Sequence, residues 1–324
     1  MNEFYEGDQR HFILWLAREW GIDFSRVRED VKIQGSPERT LSRGVIEDIH
    51  GNLFLVEKFA LEKGVARQRI ARALVQFRGR GLSQATGGIP GDGGECVRPF
   101  GHGMFQITPF LEGTPLPRPQ WLMSHTRGEE MGQFLIHMGA CAANSVKTLG
   151  FSSFYLGPYI RKLAGEMAEH HPLQLRRYSP FLGYLEKEFM AAEGGLPLGF
   201  CHGDFHPLNI IWEGERIKGV IDWEFAGFKP LVYDAANLMG CAGMEHPEQG
   251  LVGPMALAFL NGIRQSPVLG PALGEWFFDY VLALRFAWLA EWLRNEDKEM
   301  LEREAEFMGV LLRYKDDLRQ TWNL

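Results

Sequence analysis

The sequence predicts an α+β fold with a small strand-rich N-terminal part and a larger, mainly helical remainder. Three observations carry this expectation. Strand-like runs crowd into Val31–Phe59 as VKIQG, LSRGVIEDI and NLFLVEKF, with His50-Gly51-Asn52 as a hairpin turn. From Glu129 onward helical spacing dominates. Between Phe200 and Asn237 an apolar hairpin is flanked by polar residues at a spacing suited to chemistry.

At 324 residues the chain has room for one large domain or two lobes, and 45% hydrophobic content supplies a sizeable core. A net charge of −7, from 34 Lys+Arg against 41 Asp+Glu, argues against a general nucleic-acid binder. No run approaches a membrane span, and the charged opening MNEFYEGDQRHF is not a signal peptide. Cys96, Cys141, Cys201 and Cys241 are scattered without a C-x-x-C pair, so reduced thiols in a cytoplasm are the expectation, without structural zinc or a redox motif.

Taken in order, Phe12, Ile13, Trp15, Leu16 and Trp20 recur at helical spacing, and Gly21 ends that packing helix. After the strands, VARQRIARALVQFRGRGL reads as a basic helix. Ser83–Glu95 is glycine-rich and reads as a mobile loop. It fits no dinucleotide fingerprint, and the absence of G-x-x-x-x-G-K-S/T excludes that class of phosphate loop. Cys96–Arg98 and Met104–Ile107 form a second hairpin around Phe100–Gly103, and a helix is expected around Met131–Ala143.

The chemistry concentrates in FCHGDFHPLNIIWEGERIKGVIDWEFAGFKPLVYDAAN. Asp204 and Asn209 form D-x-x-x-x-N, a spacing that phosphoryl transfer uses: the Asp takes the proton of a hydroxyl and the Asn holds Mg²⁺. Ile210–Trp212 reads as a strand, Glu213–Glu215 as a turn and Ile217–Ile221 as the returning strand. An antiparallel hairpin brings its ends together, so Asn209 and Asp222 reach one open end, where two oxygen ligands suit a hard cation. Pro207 keeps the loop from becoming a helix. His202 and His206 have zinc-motif spacing, but Gly203 and Pro207 argue against the helix that motif needs, and its Glu is absent. Cys201 reads as a core thiol.

HGDFHPLNII, VIDWEFAG and VYDAANL resemble the aminoglycoside phosphotransferase and choline kinase-like family. That resemblance implies a bilobal protein-kinase-like fold, with residues 1–107 as a nucleotide-binding lobe, 108–113 as a hinge and 114–324 as the catalytic and acceptor-binding lobe. It implies a phosphotransferase using ATP and Mg²⁺ on a small-molecule hydroxyl acceptor, with neither nucleic acid nor membrane as partner. Asp204 would be the catalytic base, and Asn209 and Asp222 the metal ligands. His202 would be structural, Asp234 would brace the loop, and Glu224 occupies a frequently acidic position. Lys58 would contact the nucleotide phosphates as the strand lysine, with backbone donors at Ser42, Arg43 and Gly44 cradling phosphate and those of Phe110 or Leu111 meeting the purine.

The basic helix departs from the pattern. It has no Glu to pair with Lys58, leaving Gln68, a residue elsewhere, or phosphate alone as the partner. A nucleotide-binding pseudokinase is therefore the main alternative; a protein kinase is disfavoured by the missing H-R-D, D-F-G and A-P-E motifs. The I-D-W-E-F-A-G segment is less like homoserine kinases than like the broader family. Phe286, Trp288, Glu291 and Trp292 read first as helix packing and second as a cation-binding acceptor wall.

Overall fold

The computed structural model describes residues 9–35, 40–142 and 149–324. In chain order its elements are α1 (Gln9–Trp20), β1 (Phe24–Val27), β2 (Ser42–Asp48), β3 (Leu53–Phe59), α2 (Gly64–Gly79), β4 (Val97–Phe100), β5 (Gly103–Pro109), α3 (His125–Ala142), α4 (Leu156–His170) and α5 (Pro172–Glu188). There follow β6 (Leu198–Cys201), β7 (Ile210–Glu213), β8 (Arg216–Val220), β9 (Gly227–Pro230), α6 (Tyr233–Glu245), α7 (Pro247–Val252), α8 (Pro254–Arg264), α9 (Phe277–Arg294), α10 (Lys298–Arg313) and α11 (Lys315–Thr321).

The chain divides into two compact units. The first comprises Met1–Pro115, Cys141–Phe151 and Leu208–Ala226; the second comprises Leu116–Ala140, Ser152–Pro207 and Gly227–Leu324. No helix among the described residues is long and apolar enough to cross a membrane.

The first unit is built on an antiparallel sheet of order β1-β2-β3-β5-β4. The two faces of this sheet have separate cores. On one face Val56, Phe105 and Ile107 pack with Phe12, Trp15 and Leu16 of α1. On the other, Phe59, Ala71, Cys96 and Val97 cluster with Met104 and Val75, under α2. Side chains alternate along a strand. Lys58 therefore shares the α1 face with Val56, and Glu57 shares the α2 face with Phe59. The expected strand over Val31–Gly35 does not form; the first strand is Phe24–Val27.

The glycine-rich segment expected as a loose loop is tied down. Its Thr86 and Ile89 N–H groups donate to Val220 and Ile107, and Arg78 donates to the carbonyls of Ala85 and Gly88. Backbone donors that could have stayed in water are satisfied by neighbouring strands instead.

The second unit is mainly helical, with the two-stranded β6–β9 ribbon among its elements. Tyr280, Phe278 and Leu282 of α9 are fully buried, and the Arg285 guanidinium makes a bidentate pair with Glu304 of α10 at 2.6 and 2.7 Å. Such a pair, removed from water, is costly unless both partners remain.

Candidate functional site

In the first unit, β7 and β8 form the expected hairpin, with Ile210 opposite Val220 and Gly214 at the turn with φ 62°. Ile221 N–H donates to the Asn209 carbonyl at 2.9 Å, so the chain enters and leaves at one end, carrying Asn209 and Asp222 with it. Trp223 anchors the exit: its buried indole donates to the Val220 carbonyl at 2.8 Å. Asp222 itself is left-handed, with φ 63° and ψ 54°. A non-glycine residue there carries strain that its surroundings must hold. An amide oxygen and a carboxylate on a rigid hairpin end fit a hard cation such as Mg²⁺, which takes oxygen ligands and fills its remaining positions with water and phosphate.

The segment leading toward β2 lies beside this end. Gln34 Nε2 donates to the Leu208 and Ile210 carbonyls at 2.6 and 3.2 Å, and Arg43 donates to Gly35 at 2.7 Å. A side chain added at Gly35 would lie 3.9 Å from an Asp222 carboxylate oxygen. A loop over the phosphates was expected between Gly35 and Gly44, and its residues 36–39 lie outside the described residues. Ser42, Arg43 and Gly44 belong to β2, opposite Lys58, Glu57 and Val56 of β3, and lie beyond Ile46–Asp48, the stretch that β1 pairs on the other edge. The Ser42 hydroxyl is buried without a partner among the described residues.

Lys58 does not face Asp222. It is 8% exposed on the α1 face, where its stem runs over Gly103: a Cβ on that glycine would meet Lys58 Cε at 2.8 Å. Among the described residues it has no ion pair. Period-two alternation is the reason: the charge facing Asp222 comes from the neighbour, Glu57. Burial raises the Glu57 carboxyl pKa, Arg67 and Arg43 pull it down, and Asp222 and Glu224 push it up. Gln68 is no partner for Lys58 either. Its carbonyl oxygen accepts from Cys96 and Val97 N–H at 3.1 and 2.8 Å. The α2 residue on this face is Arg67, which donates to Glu224 at 3.1 Å and sits over the Phe59 ring at 5.5 Å. Of the two expected purine donors, Phe110 N–H is spent on the Leu53 carbonyl at 2.9 Å, which leaves Leu111.

In the second unit the catalytic-loop residues are held from α6. Asp234 is 2% exposed and accepts from His202 N–H at 2.7 Å and Gly203 N–H at 2.8 Å. Burial pushes its pKa up to about 6, against those two donors and Lys229. Gly203, at φ 86°, permits the sharp turn. The fully buried His202 accepts from Asp204 N–H at 3.2 Å through Nδ1, and among the described residues no group of three or more His, Cys, Asp or Glu could hold a metal ion. The Asp204 carboxylate has His206 Nε2 at 3.4 Å and Asn237 Nδ2 at 3.5 Å. Asn237 in turn accepts from the Trp288 indole at 3.2 Å, and Trp288 stacks on Trp292 at 5.7 Å. Trp288 thus reaches Asp204 through one amide, whereas Trp292 donates to Glu304 at 3.1 Å and Phe286 is buried against Tyr178.

Glu57, Arg67 and Asn237 were given no role by the sequence expectations. Glu57 was marked only by adjacency to Lys58, and Asn237 only by lying in VYDAAN.

The sequence profile of the Phosphotransferase enzyme family matches residues 65–262. A homoserine kinase of Brucella anthropi is 32% identical over 132 residues, 40% of this chain and 38% of that protein. One from Parvibaculum lavamentivorans is 25% identical over 204 residues, 60% of this chain and 62% of that protein. The chain thus spans about two fifths to three fifths of the length of these curated relatives. They bring forward the homoserine kinases, which the I-D-W-E segment did not favour. Among solved structures, a microcompartment-associated aminopropanol kinase aligns with TM-score 0.67 and 15% identity, covering 96% of this chain and 98% of that one. An amicoumacin kinase in complex with AMP-PNP, Ca²⁺ and Ami aligns with TM-score 0.65 and 14% identity, covering 97% and 94%. The fold is the α+β, kinase-like fold of those proteins, and the chain belongs to the Phosphotransferase enzyme family.

Proposed function

We propose that this chain transfers the γ-phosphate of ATP to a hydroxyl of a small molecule. The observation that carries the reading is the hairpin end, where Asn209 and a left-handed Asp222 are presented together by a family member. Asp204 would orient the acceptor hydroxyl and take its proton, with Asn237 and His206 fixing the carboxylate. Asn209 and Asp222 would hold Mg²⁺, which when bound with the nucleotide neutralises charge on its phosphates. Leu111 N–H is the donor proposed for the purine, and the β2 edge beyond the end of β1 is the backbone proposed for phosphate. Phosphoryl transfer asks mainly for positioning and charge complementarity, which suits this inventory.

Amino alcohols come first among acceptors. The relatives and the aligned structure are named for homoserine and aminopropanol, each an amine and a hydroxyl in one small molecule. A cytoplasmic setting is the reading of the four free cysteines. A nucleotide-binding module without turnover is the second reading, favoured by Lys58 facing away from Asp222.

Calorimetric titration of ATP, with and without Mg²⁺, tests the proposal on wild type and Asp222→Ala. Mg²⁺-dependent binding that weakens by about tenfold or more in the variant is expected. Absence of both ATP and GTP binding in the wild type would sink the phosphotransferase reading. Binding without turnover on any hydroxyl acceptor would favour the second.

A further inference from the structure

The α2 face of the sheet holds an acid on the strand and a base on the helix. Glu57 projects from β3, and Arg67 projects from the first turn of α2 onto Phe59 of the same strand. The expected polarity, a strand base with a helix acid, is reversed. Lys58 cannot take the role by a change of rotamer, because its backbone position sends it to the other face.

Arg67 has the chemistry the position needs. Its Nη2 donates to Glu224, while Nε and Nη1 have no hydrogen-bond partner among the described residues. Those two nitrogens are not fully buried, so solvent or a ligand can reach them. Glu224 lies two residues beyond Asp222, in the 3₁₀ turn Trp223–Phe225, so Arg67 is already held beside the proposed metal-binding acid. A guanidinium fork matches phosphate oxygens bidentately and stays charged even when partly desolvated. Arg43, the other cation on this face, is engaged with the Gly35 and Gln34 carbonyls and is better read as a tie for the adjoining segment.

We infer that Arg67, and not Lys58, supplies the cation that contacts the β- and γ-phosphates of the nucleotide in this chain. Glu224 orients it from the turn after Asp222, and Glu57 places a second negative charge on the same face of the sheet. The inference rests on the ATP-dependent reading given above.

The test is calorimetric titration of MgATP and of adenosine into wild type, Arg67→Ala, Arg67→Gln and Lys58→Met. Arg67→Gln keeps a donor for Glu224, in case full truncation impairs folding. Lys58→Met keeps the stem over Gly103. Both Arg67 variants should weaken MgATP by about tenfold or more and leave adenosine within about twofold, because only the triphosphate meets the guanidinium. Lys58→Met should leave MgATP within about twofold of wild type. Equal loss of adenosine and MgATP in the Arg67 variants would make Arg67 structural and overturn the inference. So would MgATP loss in Lys58→Met with Arg67→Gln unaffected. A wild type that binds neither ATP nor GTP brings down the underlying reading itself, an outcome distinct from wild-type binding that ignores Arg67.

Discussion

The two units hold their polar residues by different means. In the helical unit, Asp204 is fixed by a short hierarchy: Asp234 grips the loop backbone, His202 caps the Asp204 N–H, and Asn237 reaches the carboxylate. Every member lies within the stretch from His202 to Asn237. In the sheet unit, the charges around Asp222 come from the turn after β8 and from β2, β3 and α2, and Arg67 of α2 meets Glu224 across 157 residues of chain. One region is a locally wired loop, and the other is assembled by long-range pairing. A loop wired from a buried acid should fail by losing turnover, whereas a charge assembly should fail by losing its ligand.

The largest expected effect tests that division directly. Asp204→Ala should lower turnover by on the order of 10²–10⁴-fold while MgATP affinity, followed by calorimetry, stays near wild type. Loss of nucleotide binding in that variant would show that the loop and the charge assembly are not separable in this way.

Next comes the buried brace. The Asp234 carboxyl is raised from an ordinary 3.8 to about 6, so the folded state holds this proton more tightly than the unfolded chain does. Its favourable contribution is therefore full below the unfolded value and is lost as pH rises through about 6, a change of about 3 kcal/mol at most. Asp234→Asn should flatten the stability–pH curve between roughly pH 4 and 6, measured as chemical denaturation midpoints across that range. A curve unchanged in shape would mean that the two N–H donors outweigh burial at this acid.

The smallest effect probes the face that holds no proposed chemistry. Gly103→Ala crowds the Lys58 stem at 2.8 Å and should cost about 1 kcal/mol of stability, read from thermal or chemical denaturation, with no change in MgATP affinity. A selective loss of nucleotide binding would return Lys58 to the site.

Much of this was open to a reading of the residues. The hairpin from Ile210 to Val220 followed from two short apolar runs around a turn glycine, and with it the placement of Asn209 and Asp222 at one end. The packing helix ended by Gly21 formed as Gln9–Trp20. The region around Lys58 was less legible for a simple reason. A Glu-Lys dipeptide on a strand offers one charge to each face, and which face carries the chemistry depends on what packs there. Gln68, one of three partners left open for Lys58, was undecidable for a related reason: the Cys96 and Val97 N–H groups that claim its carbonyl lie 28 and 29 residues away.

Residue order alone was enough for the family motif, the hairpin and the succession of loop, metal-site candidates and bracing helix, because these depend on covalent neighbours and short-range periodicity. Three-dimensional packing was needed to show that Lys58 turns to the α1 core, that Glu57 and Arg67 share the face with Asp222, and that Trp288 reaches Asn237. Strand parity sets two opposite directions for neighbouring side chains. The helix that covers each face, and hence the chemistry each side chain meets, is chosen by contacts between residues distant in the chain.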